Sequence, residues 1–271
     1  MVAPRALVRQ MHGTHNGFVL LDERPPRARD YAALARRLCA ADAGGFAVDG
    51  LLVVGDAAEP SAAASMRVFN ADGSEAEMCG NGVRCVARFL FEGGAGQRFA
   101  IATAAGLIGV EVVAGTPEFR ARIAMGVPEF PDAGVLHLEA AGSEWDLHRV
   151  TTGNPHAVAF VAGVDAIDLE SLGAELNARR EHFPEGTNVH VAQRIDGHTL
   201  RVRHFERGVG LTQACGTGAV ACAAAALRAG LVTAPVLVQV PGGTLTIDWT
   251  GDGVATMTGP AEHVLEREIA L

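Results

Sequence analysis

Two cysteines begin nearly the same short motif, about half a chain length apart. Cys79 opens the run Cys-Gly-Asn-Gly and Cys215 opens the run Cys-Gly-Thr-Gly, and a helix-like apolar pattern follows each run. The first amides of a helix lack partners inside the helix and carry partial positive charge. Glycines let these amides approach a carboxylate closely, and the same field favours a thiolate. Each motif therefore predicts an anion site beside a reactive sulfur.

Two such sites acting on one molecule could invert a carbon centre. One thiolate would remove the α-proton of an amino acid, and the other thiol would deliver a proton to the opposite face. The helix amides would hold the carboxylate as enolate-like charge forms, so the chemistry needs no cofactor. Cys79 and Cys215 are therefore the predicted catalytic acid–base pair, whereas Cys39, Cys85 and Cys222 are predicted to be buried apolar residues.

The composition excludes other routes to this chemistry. The chain of 271 residues contains no lysine, so no side chain can form the Schiff base that holds pyridoxal phosphate. The same absence excludes a P-loop. The spacings of the cysteines differ from those of structural zinc sites, and no metal is expected.

Charge and hydropathy indicate the class of partner. The formal net charge is −9 and the arginines form no clustered stripe, which argues against nucleic acid or an anionic membrane as a partner. No apolar segment approaches membrane-spanning length, and the N-terminus lacks a signal-peptide pattern. We therefore expect a cytoplasmic enzyme with reduced thiols and a small polar substrate.

Predicted strands and helices place the two motifs in the same local setting. Strand-like runs at residues 51–55 and 66–69 precede the first motif, whose helix should extend to about residue 91. A strand-like run at residues 200–205 precedes the second motif. Its helix should end just before Gly230, which is the expected left-handed cap.

The second half carries a further signal. Residues 219–227 are apolar on every side, so this helix should be enclosed by protein, for instance by a curved sheet. Three strands are expected between residues 232 and 258. Because each half offers strands, then a cysteine motif at a helix start, then more strands, the sequence predicts duplicated α/β domains that face each other, with a boundary near residues 115–120.

The residues around both motifs resemble the diaminopimelate epimerase family. The first catalytic signature of that family is similar to residues 67–85, and the second is similar to residues 206–219. The resemblance covers nearly the whole chain in order. Further matching segments are residues 11–13, 153–158, 183–189 and 258–261.

The resemblance implies an α+β fold of two pseudo-symmetric domains, each a β-barrel-like sheet around a central helix, with the active site in the cleft between them. Residues 1–116, completed by residues 262–271, would carry Cys79, and residues 117–261 would carry Cys215. The implied activity is the cofactor-independent interconversion of LL- and meso-diaminopimelate in lysine and cell-wall precursor synthesis. The partner would be this small amino acid, and a homodimer is compatible with the resemblance.

The resemblance also assigns the other site residues. His156 and Glu206 would set the pKa of the catalytic cysteines. Arg207 supplies a bidentate cation for a distal carboxylate, and Glu206 supplies an opposite charge beside it. The residues that would bind the substrate are Asn16, Asn70, Gly80, Asn81, Asn154, Asn188, Glu206, Arg207, Gly216 and Thr217.

Some positions depart from the family pattern. His15-Asn16-Gly17-Phe18 stands where the family usually reads Gly-Asn-Asp-Phe, and Leu211 replaces a usual glutamate. These changes leave open a second interpretation, a racemase or epimerase of another amino acid on the same scaffold.

Three other kinds of protein were compared with this sequence. Proline-racemase relatives typically carry a histidine at the position of Asn81, and the related phenazine-biosynthesis isomerases lack the cysteine pair. A catalytically silent carboxylate-binding protein is a third interpretation, but binding alone would not need two thiols.

Overall fold

The structure is a computed structural model that describes residues 5–25, 27–40, 45–131 and 133–271. The chain forms two compact units, Met1–Ile123 with Gly259–Leu271, and Ala124–Thr258. The sequence placed domain boundaries after residues 116 and 261. Residues 1–4, 26 and 41–44 of the predicted first domain, and residue 132 of the predicted second, lie outside the described residues.

Elements of the first unit come first in the chain. They are β1 (Arg5–Gly13), β2 (Asn16–Asp22), α1 (Tyr31–Cys39), β3 (Gly50–Gly55), β4 (Ala62–Asn70), β5 (Glu75–Ala76), α2 (Gly80–Glu92), β6 (Arg98–Thr103), β7 (Gly106–Ala114) and β8 (Arg120–Ala124).

Elements of the second unit follow, and the chain then returns to the first unit with a last strand. They are β9 (Leu136–Ala140), β10 (Ser143–Thr151), β11 (Pro155–Phe160), a 3-10 helix (Val164–Ala166), α3 (Leu169–Ala178), β12 (Asn188–Arg194), β13 (Thr199–Glu206), β14 (Gly210–Thr212), α4 (Gly216–Arg228), β15 (Val236–Val240), β16 (Gly243–Asp248), β17 (Thr256–Pro260) and finally β18 (Glu262–Ala270).

Both units pair their strands in the same pattern. In the first unit, β18, β1 and β2 are antiparallel neighbours, β2 is parallel to β3, β3 is antiparallel to β4, and β4 is parallel to β6. β6, β7 and β8 continue antiparallel. In the second unit, β9, β10 and β11 are antiparallel, β11 is parallel to β12, β12 is antiparallel to β13, and β13 is parallel to β15. β15, β16 and β17 continue antiparallel.

Each unit buries one long helix that begins at a cysteine motif. α2 packs against β1, β2, β3, β4 and β7, and it buries Val83, Ala87 and Leu90 as its apolar pattern predicts. α4 packs against β10 to β13, β15 and β16. Every residue from Ala219 to Ala226 is 0% exposed, which confirms that a helix without a polar face is enclosed.

Local signals fixed several boundaries. Gly230 has φ of +67°, so the expected left-handed residue lies just after α4. The three strands expected between residues 232 and 258 are β15, β16 and β17. Across the part of the chain that the structure describes, no helix combines the length and the apolar character needed to cross a membrane.

Candidate active site

Cys79 lies at the N-cap of α2. Its backbone is extended, with φ of −139° and ψ of 114°, and its carbonyl accepts the first helical hydrogen bond from the Val83 amide at 2.8 Å. Gly80 is the first helical residue. The sulfur is half-buried and stands at the end of the helix where amides point outward.

Cys215 occupies the same position on α4. Its φ of −122° and ψ of 110° match those of the first motif, and its carbonyl accepts from the Ala219 amide at 2.8 Å. The predicted helix start at both motifs is therefore confirmed. The two environments differ in burial, because Cys215 is only 4% exposed.

A network of polar side chains surrounds the Cys79 sulfur. Cys79 Sγ lies 3.8 Å from Asn16 Oδ1 and donates to it. Asn81 Nδ2 donates to the same oxygen at 3.1 Å, while Asn16 Nδ2 donates to Asp49 at 2.8 Å. Arg84 donates to Asn81 Oδ1 at 2.8 Å. The first unit thus brings Cys79, Asn16 and Asn81 together, as the sequence predicts.

Asn70 lies at the end of β4 and is exposed. Its Nδ2 donates to Ser74 Oγ at 2.9 Å, and its amide donates to the Ser74 carbonyl at 2.8 Å. The following residue, Ala71, donates its amide to the Asp49 carbonyl at 3.0 Å. The backbone after β4 therefore runs beside Asp49, while the Asn70 side chain is bound within its own turn.

The Cys215 sulfur meets a different set of groups. Thr217 Oγ1 lies 3.6 Å from Cys215 Sγ. Burial raises the pKa of Cys215 well above its usual value, the charge and a hydrogen bond of Glu206 act in the same direction, and hydrogen bonds from Thr217 and the Gly218 amide act against it. A helix start alone predicts a lowered pKa, so burial and the neighbouring carboxylate outweigh it in the substrate-free protein.

Other predicted residues of the second unit are fixed by backbone contacts. Asn188 Nδ2 donates to the Pro155 carbonyl at 3.0 Å, and its Oδ1 accepts from the Arg207 amide at 3.0 Å. Arg207 Nη1 donates to the Glu185 carbonyl at 2.6 Å. Asn188 therefore joins the start of β11 to the end of β13, where Glu206 and Arg207 lie.

His156 belongs to a buried chain of three histidines. His156 Nε2 lies 2.8 Å from Asn154 Oδ1, His156 Nδ1 lies 2.8 Å from His190 Nε2, and His190 Nδ1 lies 2.9 Å from His204 Nδ1. With the Asn154 oxygen facing Nε2, donors and acceptors alternate along the chain. The last nitrogen, His204 Nε2, is then an acceptor. It is buried and has no hydrogen-bond partner among the described residues. Oγ1 of Thr212, the cross-strand neighbour of His204, is likewise buried without a hydrogen-bond partner among them.

All three imidazoles are neutral at ordinary pH. Burial lowers the pKa of His156 to about 3, and the positive charge that Arg207 carries, or that His204 would carry if protonated, acts in the same direction. Burial likewise lowers the pKa of His204 to about 3 and the pKa of His190 well below its usual value. His156 can therefore act on its surroundings as a dipole and a hydrogen-bonding group, and not as a cation.

The histidine chain reaches the first turn of α4 through His190. A Cβ atom placed on Gly218 would lie 2.5 Å from His190 Cε1 and 3.2 Å from Cys215 Sγ. Only a glycine leaves room for the ring and the sulfur on that side of the helix. The second glycine of the motif thus serves packing as well as amide access.

Four contributing residues were missed by motif analysis. His190 lies between Val189 and Val191 in a strand whose first five residues are all buried, and a histidine inside such a run was a usable signal. His204 is buried in β13 between Arg203 and Phe205, and its neighbours gave no comparable signal. Asp49 lies in a connection before β3 and Arg84 lies inside α2. No sequence motif links Asp49 to Asn16 or Arg84 to Asn81.

Metal binding finds no support in the side-chain arrangement. Within residues 5–25, 27–40, 45–131 and 133–271, no group of three or more histidine, cysteine, aspartate or glutamate side chains could hold a metal ion. The histidine chain bonds ring to ring through nitrogens that a metal would need.

A sequence profile described as diaminopimelate epimerase matches residues 8–131 and 149–264, which together form most of the chain. This chain belongs to the diaminopimelate epimerase family. The family is one of isomerases, and both cysteine motifs lie inside the matched ranges.

Individual relatives agree with the family assignment. A protein named diaminopimelate epimerase from Rhizorhabdus wittichii is 41% identical over 273 residues, covering 97% of this chain and 94% of the relative. One of the same name from Xanthomonas axonopodis is 42% identical, covering 96% and 94%. Another from Methanocella arvoryzae is 39% identical, covering 96% and 95%.

Solved structures share the fold of this family member at low sequence identity. A PhzF-family phenazine biosynthesis protein from Bacillus anthracis superposes with a TM-score of 0.77 at 17% identity, covering 99% of this chain and 100% of that one. A hydroxyproline epimerase from Agrobacterium vitis gives 0.76 at 16% identity, covering 98% and 93%. The predicted α+β class is confirmed.

Proposed function

We propose that this protein interconverts LL- and meso-diaminopimelate without a cofactor, by proton transfer between two cysteines and the α-carbon. One thiolate removes the α-proton, and the other thiol donates a proton to the opposite face. The relatives that carry the name diaminopimelate epimerase support the reaction.

The observation that carries the proposal is the equivalence of Cys79 and Cys215. Each is the N-cap of a buried helix, each is followed by glycine, and their backbone angles agree. Amides of Gly80 with Asn81, and of Gly216 with Thr217, are free of earlier helical partners and suit a carboxylate that gains enolate charge.

The remaining predicted residues suit the other groups of the substrate. Arg207 offers a guanidinium for the distal carboxylate, and Glu206 offers a carboxylate for an ammonium group. An ammonium beside Glu206 would offset the charge that raises the pKa of Cys215. Asn16, Asn70, Asn154 and Asn188 would supply the neutral donors and acceptors.

His156 and Glu206 are proposed to set the state of Cys215. Glu206 acts directly through charge. His156 acts through His190, whose ring lies beside the first turn of α4. A cytoplasmic location, a homodimeric assembly and the assignment of residues 1–116 with 262–271 as the domain that presents Cys79 stay predictions of the sequence.

The decisive experiment follows solvent deuterium. Reduced protein in D2O, without added cofactor, should transfer deuterium to the α-position of either diaminopimelate isomer and bring both isomers to the same mixture. Nuclear magnetic resonance and mass spectrometry measure the label.

Other amino acids in the same assay separate the alternatives. Exchange of another amino acid, with none of diaminopimelate, would favour the racemase interpretation that His15, Gly17 and Leu211 leave open. Binding of a carboxylate with no exchange of any amino acid would indicate a silent binding protein.

A further inference from the structure

In the first unit, a carboxylate fixes the orientation of the asparagine beside Cys79. Asp49 Oδ2 accepts from Asn16 Nδ2 at 2.8 Å and from the Gly17 amide at 2.7 Å. Since a carboxylate oxygen only accepts, the group of Asn16 that faces it must be the NH2. The Asn16 oxygen is thereby turned toward Cys79 Sγ, 3.8 Å away.

A guanidinium fixes the second amide of the same network. Arg84 can only donate, and its Nη2 lies 2.8 Å from Asn81 Oδ1. The Asn81 NH2 must therefore face Asn16 Oδ1, at 3.1 Å. Arg84 itself is 0% exposed and donates Nε to the Pro260 carbonyl at 3.0 Å, so its position is determined by the fold.

All three hydrogen bonds between these groups run in one direction. Arg84 donates to Asn81, Asn81 donates to Asn16, and Asn16 donates to Asp49. Opposite charges at the two ends polarise the amides between them. Rotating either amide by half a turn would set donor against donor or acceptor against acceptor, so the network has one stable arrangement.

We propose that Asp49 and Arg84 are positioning residues that lock both amides, so that Asn16 presents only an acceptor to Cys79 and the substrate-free protein holds Cys79 as the thiol. The S–H group donates to the Asn16 oxygen. A thiolate would instead face the lone pairs of that oxygen, which disfavours it.

Arg84 acts on the charged form of the same sulfur. Burial lowers the pKa of Arg84 to about 10, and negative charge on Cys85 and Cys79 acts in the opposite direction, so guanidinium and Cys79 thiolate attract. Arg84 and Cys85, on the same helix, interact electrostatically with Cys79, and Asp49 acts on it through Asn16. Cys79 therefore keeps its proton at rest and tolerates charge after the proton leaves.

The consequence for catalysis rests on the proposed function. If the two cysteines exchange protons with one α-carbon, the resting Cys79 thiol is the proton donor for the isomer whose α-proton faces Cys215. Cys215 must first lose its own proton to act as the base, since burial and Glu206 raise its pKa in the substrate-free protein. The test of the resting state uses substrate-free protein, so it does not depend on which amino acid the protein binds.

Alkylation as a function of pH tests the proposal. Reduced protein, without substrate, is treated with iodoacetamide, and mass spectrometry follows the peptide that contains Cys79. Asp49→Asn lets the Asn16 amide turn, so the midpoint pH of Cys79 alkylation should fall by about half to one pH unit. Asn16→Ala removes the acceptor and should give a similar fall.

The double variant separates orientation from charge. If Asp49 acts through Asn16, Asp49→Asn adds no further shift to Asn16→Ala. Asp22→Asn is the matched control, because it removes an equal charge from an ion pair with Arg24 in the same unit and should leave the midpoint unchanged.

Two results would overturn the proposal. One is an unchanged midpoint in Asp49→Asn, and the other is an equally large shift from Asp49→Asn with and without Asn16. Thermal melting verifies folding, and Asn16→Val replaces Asn16→Ala if the latter does not fold. If the wild-type protein does not exchange deuterium into diaminopimelate, the proposed function is wrong but this proposal can still hold. If exchange is normal and Asp49→Asn does not shift the alkylation midpoint, this proposal is wrong and the proposed function stands.

Discussion

The first turns of α2 and α4 share a backbone but differ in what their sulfurs touch. Cys79 donates to the amide oxygen of Asn16, which cannot take a proton. Cys215 lies beside the carboxylate of Glu206, which can take a proton. Cys215 is also more deeply buried than Cys79. The repeated motif determines the position of each sulfur, and residues from the surrounding strands and loops determine how firmly each sulfur holds its proton.

Replacing the sulfurs tests whether both sites are needed, and it has the largest expected effect. Cys79→Ser and Cys215→Ser should each lower the rate of inversion by about 100-fold or more, because general acid–base transfer contributes at least this much. Kinetics with both isomers measure the loss. Cys39→Ala, a change at a buried cysteine outside the motifs, should keep the rate, and near-normal turnover by either serine variant would contradict the two-base scheme.

The buried histidines of the second unit should make the stability of the protein depend on pH. An unfolded histidine ionises near pH 6.5, whereas burial holds the pKa of folded His156 and His204 at about 3. The unfolded chain therefore binds more protons between these values, so the free energy of unfolding falls as pH drops below about 6.5. Each such histidine contributes up to about 1.4 kcal/mol per pH unit.

Urea unfolding at a series of pH values measures this slope. His204→Asn keeps a donor at the position of Nδ1 but removes one titrating ring, so the slope between about pH 6 and pH 4 should become shallower. His198→Asn, at an exposed position of the same unit, is the control and should keep the wild-type slope. Equal slopes in all three proteins would show that the buried chain does not govern acid stability.

Paired glycine substitutions give the smallest expected effect. Gly82 and Gly218 are equivalent third residues of α2 and α4. A Cβ on Gly82 would lie 2.8 Å from Leu52 Cδ2, the end of a flexible side chain, whereas a Cβ on Gly218 would lie 2.5 Å from the hydrogen-bonded ring of His190. Gly218→Ala should destabilise by about 1–3 kcal/mol.

Gly82→Ala is the matched variant. The helix propensity gained, about 0.5–1 kcal/mol, should offset most of the shift of Leu52. Urea unfolding compares the two variants. An equal loss of unfolding free energy in both variants would mean that the His190 ring can shift at no greater cost than the Leu52 methyl group.

Backbone position around the site followed from local sequence. The glycine motifs, the apolar stripe of α2 and the cap at Gly230 specify helix ends within a few residues, so both cysteine positions were predictable. The N-caps of α1 and α3 are equally local, since Asp30 and Asp168 accept from amides three residues ahead.

Side-chain networks did not follow from local sequence. Asp49 meets Asn16 only because β2 pairs with β3, and His190 meets His204 only because β12 pairs with β13. Strand register is set by the whole sheet, so these contacts have no spacing in the sequence that announces them.

The turn between β1 and β2 shows the same limit. Thr14 and His15 have φ of 52° and 60°, where asparagine and glycine are the usual residues. Buried hydrogen bonds of Thr14 to the Gly13 carbonyl and from Arg84 accompany this conformation. The residue types at these two positions do not predict a turn with positive φ. The contact with Arg84 exists only in the folded unit, so the sequence alone could not reveal it.

The return of β18 to β1 has a consequence for synthesis on the ribosome. Arg5–Gly13 is made before the whole second unit, whereas its neighbour Glu262–Ala270 is made after it. The second unit is continuous in sequence and can complete its pairing while the first still waits for a closing strand. Until then β1 presents an open edge that other nascent chains could pair with, so this step is where chaperone protection would matter most.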